Sequence, residues 1–249
     1  MQTNNTSDLE RPMLRMGSVA FIAGIVIAIV STYIHSDSED LMDNPVVFAV
    51  YAEDDLWIAS HIGQFVGGML IFAGGFVALH RLLVKSESGT TASALAWFGL
   101  VAAILVASTF TILQAVDGIA LKIAVDTWYT IPPTTTKSEE EKAMYFRVAE
   151  GLRWTEWGIQ AYYRMLQGAV ALIFGVAILK SALLARWIGA VGIAAGVVTI
   201  AAGIIVAYVG FSSVRDPVVN ASNFTLYPWV VILGIFMWRK TIAKKMISR

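Results

Sequence analysis

Apolar residues fill six long stretches of this chain, and the polar positions between them fix how the stretches are joined. Each stretch approaches or exceeds the roughly 20 residues that a helix needs to cross a bilayer. The expected spans are 14–34, 57–81, 92–117, 160–180, 185–209 and 224–240. The third pattern stays helical to Val125, longer than a bilayer requires, until Pro132-Pro133 breaks it. Thr136 or Ser138, ahead of Glu139-Glu140-Glu141, then marks the start of the fourth helix, with carboxylates at the positive end of its dipole. That helix runs about twenty residues before its apolar part, with Gly151 or Gly158 as places for a bend. The pattern predicts an all-α fold: a six-helix transmembrane bundle whose third and fourth helices extend beyond the membrane on the outer side. Residues 1–12 read as a disordered cytoplasmic tail, 13–245 as one six-helix domain and 246–249 as a basic cytoplasmic tail.

Within the fourth helix, Glu150, Arg153, Trp157, Gln160, Arg164 and Gln167 recur at alternating spacings of three and four, so they share one helix face. The upper part of this stripe, Glu150 and Arg153, is expected to stand in water. The lower part is carried into apolar sequence, where polar side chains need partners and are functional candidates by default.

Composition agrees with a membrane protein. The 249 residues are 57% hydrophobic and 14% charged, against about 25% charged in an ordinary soluble domain. Mean hydropathy is +0.68. The absence of cysteine excludes disulfides and thiolate chemistry, and a net charge of zero gives no basic surface for nucleic acid. The polar opening residues lack a signal-peptide n-region, so the first apolar run reads as a retained helix. With Lys122 and Arg164 set aside, eleven basic residues fall on one set of loops and termini and five on the other. The richer side is taken as cytoplasmic, which puts both termini inside and the protein in the plasma membrane. Tyr33, Trp57, Trp97, Trp128, Trp187, Trp229 and Trp238 are expected to form interfacial belts.

Topology then groups the polar intramembrane positions. His61 and Gln64 on the second helix, Gln114, Asp117 and Lys122 on the third, and Glu156, Gln160, Arg164 and Gln167 on the fourth fall at similar depth near the outer boundary. Pairing of Asp117 with Arg164, and of Lys122 with Glu156 or Asp126, would compensate their charges. Two readings stay open: structural salt bridges, or a polar pocket for a small molecule, lipid headgroup or partner. The run of carboxylates from Asp37 to Asp55 reads as a solvated loop, and Asn220 and Asn223 open sequons on an outer loop.

Small residues mark helix seams: Gly63 and Gly67 on the second helix, and Gly189, Gly192, Gly196, Gly203 and Gly210 on the fifth. Internal packing is the favoured use, a homodimer or membrane-complex contact the other. Trp57/Trp157, Gly68/Gly168 and Gly75/Gly175 match at one offset, which fits either a hairpin repeat or the commonness of these residues in membrane helices. Three histidines without metal-ligand spacing argue for no metal, and no cofactor motif is present. A binding protein without catalysis is the leading reading. A small secondary transporter, or an intramembrane enzyme using His61 with Glu156 or Asp117, are its alternatives.

Arg15-Met16-Gly17, the Trp57–His61 opening of the second helix, its Leu79–Leu83 close, and Arg153–Gly158 before the fourth apolar run are similar to a class of uncharacterised prokaryotic multi-pass membrane proteins, a domain of unknown function. The resemblance implies a six-helix prokaryotic membrane protein and transfers no activity.

Overall fold

The computed structural model describes residues 6–35, 42–86, 89–132 and 134–247, with side chains described from Arg11 to Ile242. Asp37, Glu39 and Asp40 of the acidic run, Pro133, the first five residues and the basic side chains after Ile242 lie outside the described residues. The fold is all-helical, with no strand among those residues. The helices are α1 (Thr6–Tyr33), α2 (Asn44–Glu53), α3 (Trp57–Ser86), α4 (Thr91–Thr130), α5 (Thr136–Lys180), α6 (Arg186–Val209) and α7 (Arg215–Ile247). All but α2 are long and apolar enough to cross a membrane, and the chain is a multi-pass membrane protein.

Local chemistry sets the ends of these elements. Thr90 accepts from Ser93 N at 3.3 Å and starts α4. At α5, Thr135 Oγ1 accepts from Ser138 N at 3.1 Å while Thr135 N donates to Ser138 Oγ at 3.0 Å, a reciprocal cap that begins the helix one residue before Thr136. From there α5 continues as one unbroken helix through Gly151 and Gly158, around which a side chain would meet open space. Both α3 and α4 contain a π-helical turn, at Leu70–Gly75 and Val116–Leu121. Such a turn inserts an extra residue and re-aims its neighbours, and it recurs at functional sites. Helix α7 starts nine residues ahead of the expected Phe224, because Arg215 and Asp216 open it in place of a loop.

Glycines let the spans approach at backbone distance. A Cβ on Gly168 would come within 2.6 Å of Gly196 O, and one on Gly189 within 2.6 Å of Gly175 O. Gly203 faces the backbone of Ala161 in the same way, so α5 and α6 lie in contact along most of α6. Gly24 and Gly67 form the equivalent contact between α1 and α3, where Gly63 also meets Ser31. Gly192 admits the indole of Trp229, and Gly210, at φ +59°, ends α6 under Trp157.

The bundle has two unlike halves. At the end away from α2, Phe76, Phe174 and Trp229 pack with Leu79, Leu83, Ile178, Ile188 and Leu233 into an apolar core. Trp229 is fully buried there, and Trp57 is buried at the other end, so neither belongs to an interfacial belt; Trp97, Trp187 and Trp238 are exposed. Their indole N–H groups explain the difference, since Trp229 Nε1 donates to Ile188 O at 2.9 Å and Trp57 Nε1 to Asp117 O at 3.1 Å.

Candidate functional site

The acidic run is not simply a solvated loop. Asp43 accepts from Val46 N at 3.4 Å, and Pro45 occupies the first turn, so the chain folds into α2. Val47, Phe48 and Tyr51 bury against Leu121, Val125 and Ala149 on the extended ends of α4 and α5. Three polar ties seat this helix. Asn44 Nδ2 donates to Glu150 Oε1 at 3.1 Å and its Oδ1 accepts from Arg153 at 2.8 Å. Lys122 Nζ donates to Tyr51 O and Ala52 O at 2.9 and 3.0 Å, a cation at the negative end of α2.

This overturns one expectation. Glu150 and Arg153 do not stand in water: they are 8% and 2% exposed, and the Arg153 guanidinium lies 4.9 Å from the Phe211 ring. Helix α2 covers them; its signals in the sequence are the Asp-Asn-Pro start and the apolar run behind it, set among flanking carboxylates. Burial, and then the nearby Glu156 carboxylate, pushes the Tyr51 phenol above its ordinary range.

Under α2 lies a cavity of about 380 Å³ between α1, α3, α4, α5 and α7, within the usual size of small-molecule sites. Eight of the nine expected polar positions line it: His61, Gln64, Gln114, Asp117, Glu156, Gln160, Arg164 and Gln167. Lys122 does not. It is turned to α2 and pairs with Asp126 at 2.7 Å. Residues of the wall that the sequence did not assign to the polar cluster are His35, Tyr51, Tyr163, Arg215, Asn223 and Tyr227. The polar positions on α7 could have been found by continuing its helical period back through Asn223 and Asn220. The two sequons accordingly sit inside a helix, and Asn223 faces the cavity.

The mouth nearest α2 is an aromatic and acid–base layer. Trp57 lies 4.0 Å from Tyr51, 4.4 Å from His35 and 4.7 Å from His61, between ring centroids. His61 Nδ1 donates to Trp57 O at 2.7 Å, which turns Nε2 toward Asp117 Oδ2 at 3.0 Å. The π-helical turn of α4 carries Asp117 inward, and Gly118 beside it lets His61 approach so closely that a Cβ there would fall 2.5 Å from the histidine's own. Asp117 therefore pairs with His61. The expected pairing with Arg164 is not found, because Asp117 stands a layer nearer the mouth.

Deeper in, Gln160 Oε1 accepts from Arg215 Nε and Nη2, each at 3.2 Å, and Arg215 also pairs with Asp216 at 2.8 Å. Gln114 Nε2 donates to Gln64 Oε1 at 3.3 Å. Arg164 is 9% exposed, and its one hydrogen bond is a 3.4 Å donation to Asn223 Oδ1. Among the described residues no carboxylate pairs with it. Its Nε, Gln114 Oε1 and Gln167 Oε1 are buried without a hydrogen-bond partner. The floor is apolar: Phe110 stacks on Tyr163 at 4.7 Å, with Phe72 beside them.

Depth is the largest departure from the sequence reading. Gly168 touches Gly196, near the midpoint of α6. Arg164 and Gln167 thus lie within about a turn of the middle of the bundle, not at its rim. From Glu156 to Gln167 the cavity descends roughly 17 Å at 1.5 Å per residue. Among the described residues no group of three or more His, Asp or Glu side chains could hold a metal ion.

A family model described as "Domain of unknown function (DUF4386)" matches residues 16–240. No curated protein and no solved structure matches the chain.

Proposed function

Because the chain belongs to that family of unknown function, its activity must be argued from the site, and we propose that it binds a small molecule or lipid headgroup in the cavity beneath α2. The observation that carries this reading is the set of buried polar atoms without partners, Arg164 Nε, Gln114 Oε1 and Gln167 Oε1, all on side chains that line one cavity. A fold gains nothing from burying such groups, each of which costs about 1–3 kcal/mol, unless something else satisfies them. The Lys/Arg distribution supports an orientation with both termini cytoplasmic, so that α2 and the mouth face outward from the plasma membrane.

Transport is less well supported. Beyond Phe72 and Phe110 the cavity lining gives way to the apolar core around Phe76, Phe174 and Trp229. An intramembrane enzyme is favoured by one observation, the His61–Asp117 pair on the cavity wall, an acid–base couple 3.0 Å apart. Native mass spectrometry of the purified full chain, repeated with Arg164→Ala, tests the binding reading. A small-molecule adduct on the wild type that is lost or depleted in the variant is expected. No adduct on either form, from membrane extracts or in detergent, would remove it. An adduct that is chemically altered on incubation with the wild type but not with Asp117→Asn would favour the enzyme.

A further inference from the structure

The ligand's chemical class can be read from which charges in the cavity are already answered. Four of its five aspartate, glutamate and arginine side chains have opposite charges at hand. Asp117 faces His61. Arg215 holds Asp216. Glu156 has the Asp117 carboxylate near it, and beyond that the opposite charges of Arg153 and Arg215. Arg164 is the exception. It stands two helical turns below Glu156, about 12 Å along the axis. The neighbours that act on it electrostatically are the phenols of Tyr163 and Tyr227 and a second cation, Arg215. A guanidinium presents its donors in a planar fork that matches carboxylate and phosphate oxygens, and in a site of low dielectric that match is strong.

The side chains around it suit the same guest. Asn223, a cavity-lining residue, accepts from Arg164 through its oxygen, a bond that leaves its amide nitrogen unused. Gln167 is joined to the Tyr163 hydroxyl at 3.2 Å, and a hydroxyl can donate as well as accept, so the amide can reverse and offer its NH2 group inward. Gln114 can do the same when Gln64 turns its own amide, so that Gln64 Nε2 donates to Gln114 Oε1. Resting on the binding reading above, we propose that the inner half of the cavity is an oxyanion seat, in which Arg164, assisted by Asn223, Gln167 and Gln114, receives the carboxylate or phosphate group of its ligand. The neighbouring wall of Ile71, Phe72, Phe110 and Leu113 takes an apolar portion of the same molecule.

The test uses the full chain and two sources of the same chemistry. In detergent, thermal unfolding is followed with inorganic phosphate, with hexanoate, and with hexanamide as the uncharged match of the carboxylate. In nanodiscs of phosphatidylcholine, the same measurement is made with and without phosphatidic acid. At least one oxyanion is expected to raise the midpoint by several degrees at a large excess over its Kd. Response to a soluble anion alone assigns a soluble ligand, and response to phosphatidic acid alone a lipid headgroup. Arg164→Gln is expected to weaken the response about tenfold or more, and Arg164→Lys to retain part of it. Should neither variant fold, Asn223→Ala and the wild-type contrast of hexanoate with hexanamide decide. Equal protection by the amide and the carboxylate overturns the oxyanion seat and leaves the binding reading standing. Protection by none of the probes also overturns the seat, and the native-mass adduct then decides the binding reading separately. An unchanged anion response in Arg164→Gln overturns the seat as well.

Discussion

Replacing Arg164 by methionine separates an arginine kept for a ligand from one kept for the fold. In the ligand-free protein its guanidinium is 9% exposed, lacks a partner at Nε and holds one 3.4 Å bond to a neutral amide. The unsatisfied donor costs about 1–3 kcal/mol, and a cation near the membrane centre costs about 2.5–3.5 kcal/mol on insertion scales. Against this, the variant forfeits one hydrogen bond of about 0.5–1.5 kcal/mol and frees Asn223 Oδ1. Methionine keeps an unbranched stem that can follow the same path past Tyr163. With the freed Asn223 oxygen costing about 1–3 kcal/mol, the midpoints leave a gain on the order of 2 kcal/mol, the sign expected where function has been placed ahead of stability. Reversible unfolding of ligand-stripped protein in mixed dodecyl sulfate and maltoside micelles, followed by circular dichroism, measures it. A loss of 1 kcal/mol or more in Arg164→Met would refute the reasoning, because the arginine would then be held by contacts within the bundle.

Three further changes probe the parts that shape the cavity. Gly196→Val places a Cβ within 2.6 Å of Leu172 N and 2.7 Å of Gly168 O, both backbone atoms, so α5 and α6 must separate; a loss of about 1–3 kcal/mol is expected. Gly158→Ala meets open space and should gain roughly 0.5–1 kcal/mol, and equal effects of the two in the micelle assay would contradict the seam. Lys122→Met removes both donations to the end of α2, and amide exchange of residues 47–51 should rise at least about tenfold while that of α6 stays unchanged; unaltered protection would show that Lys122 does not hold α2. Asp117→Ala and His61→Phe, singly and together, should give a coupling of about 1–3 kcal/mol for a buried charged contact, and a value below about 0.5 kcal/mol would dissolve the pair.

The six spans were legible because a bilayer demands length and apolarity, which a sequence carries openly. Packing partners were legible in kind but not in identity. The heptad of glycines on α6 announces a close seam, yet only the structure shows Gly168 and Gly175 of α5 across from it. Two features stayed hidden for physical reasons. Helix α2 has only ten residues, and its stability comes from burying Val47, Phe48 and Tyr51 on α4 and α5, a tertiary gain that local pattern cannot register. The π-helical turn at Val116–Leu121 shifts the phase of α4, so counting residues by an unbroken 3.6 period could not choose between His61 and Arg164 as the partner of Asp117.

Depth follows from the same limits, and it changes what the cavity can be. Apolar windows locate the start of a span only to within a turn or two, and the fourth apolar run begins at about the residues in question. With Arg164 at the presumed edge, snorkelling to the interface would explain it fully. The contact of Gly168 with the centre of α6 sets Arg164 about a turn from the middle of the bundle, which argues against that explanation. At that depth the arginine has phenols, amides and another cation around it. Helix α2, tied down by Asn44 and Lys122, closes the space above it. A charge set this deep, under a helix tied down over it, is costlier than an apolar contact of the same volume, and that cost is what the proposed oxyanion ligand would offset.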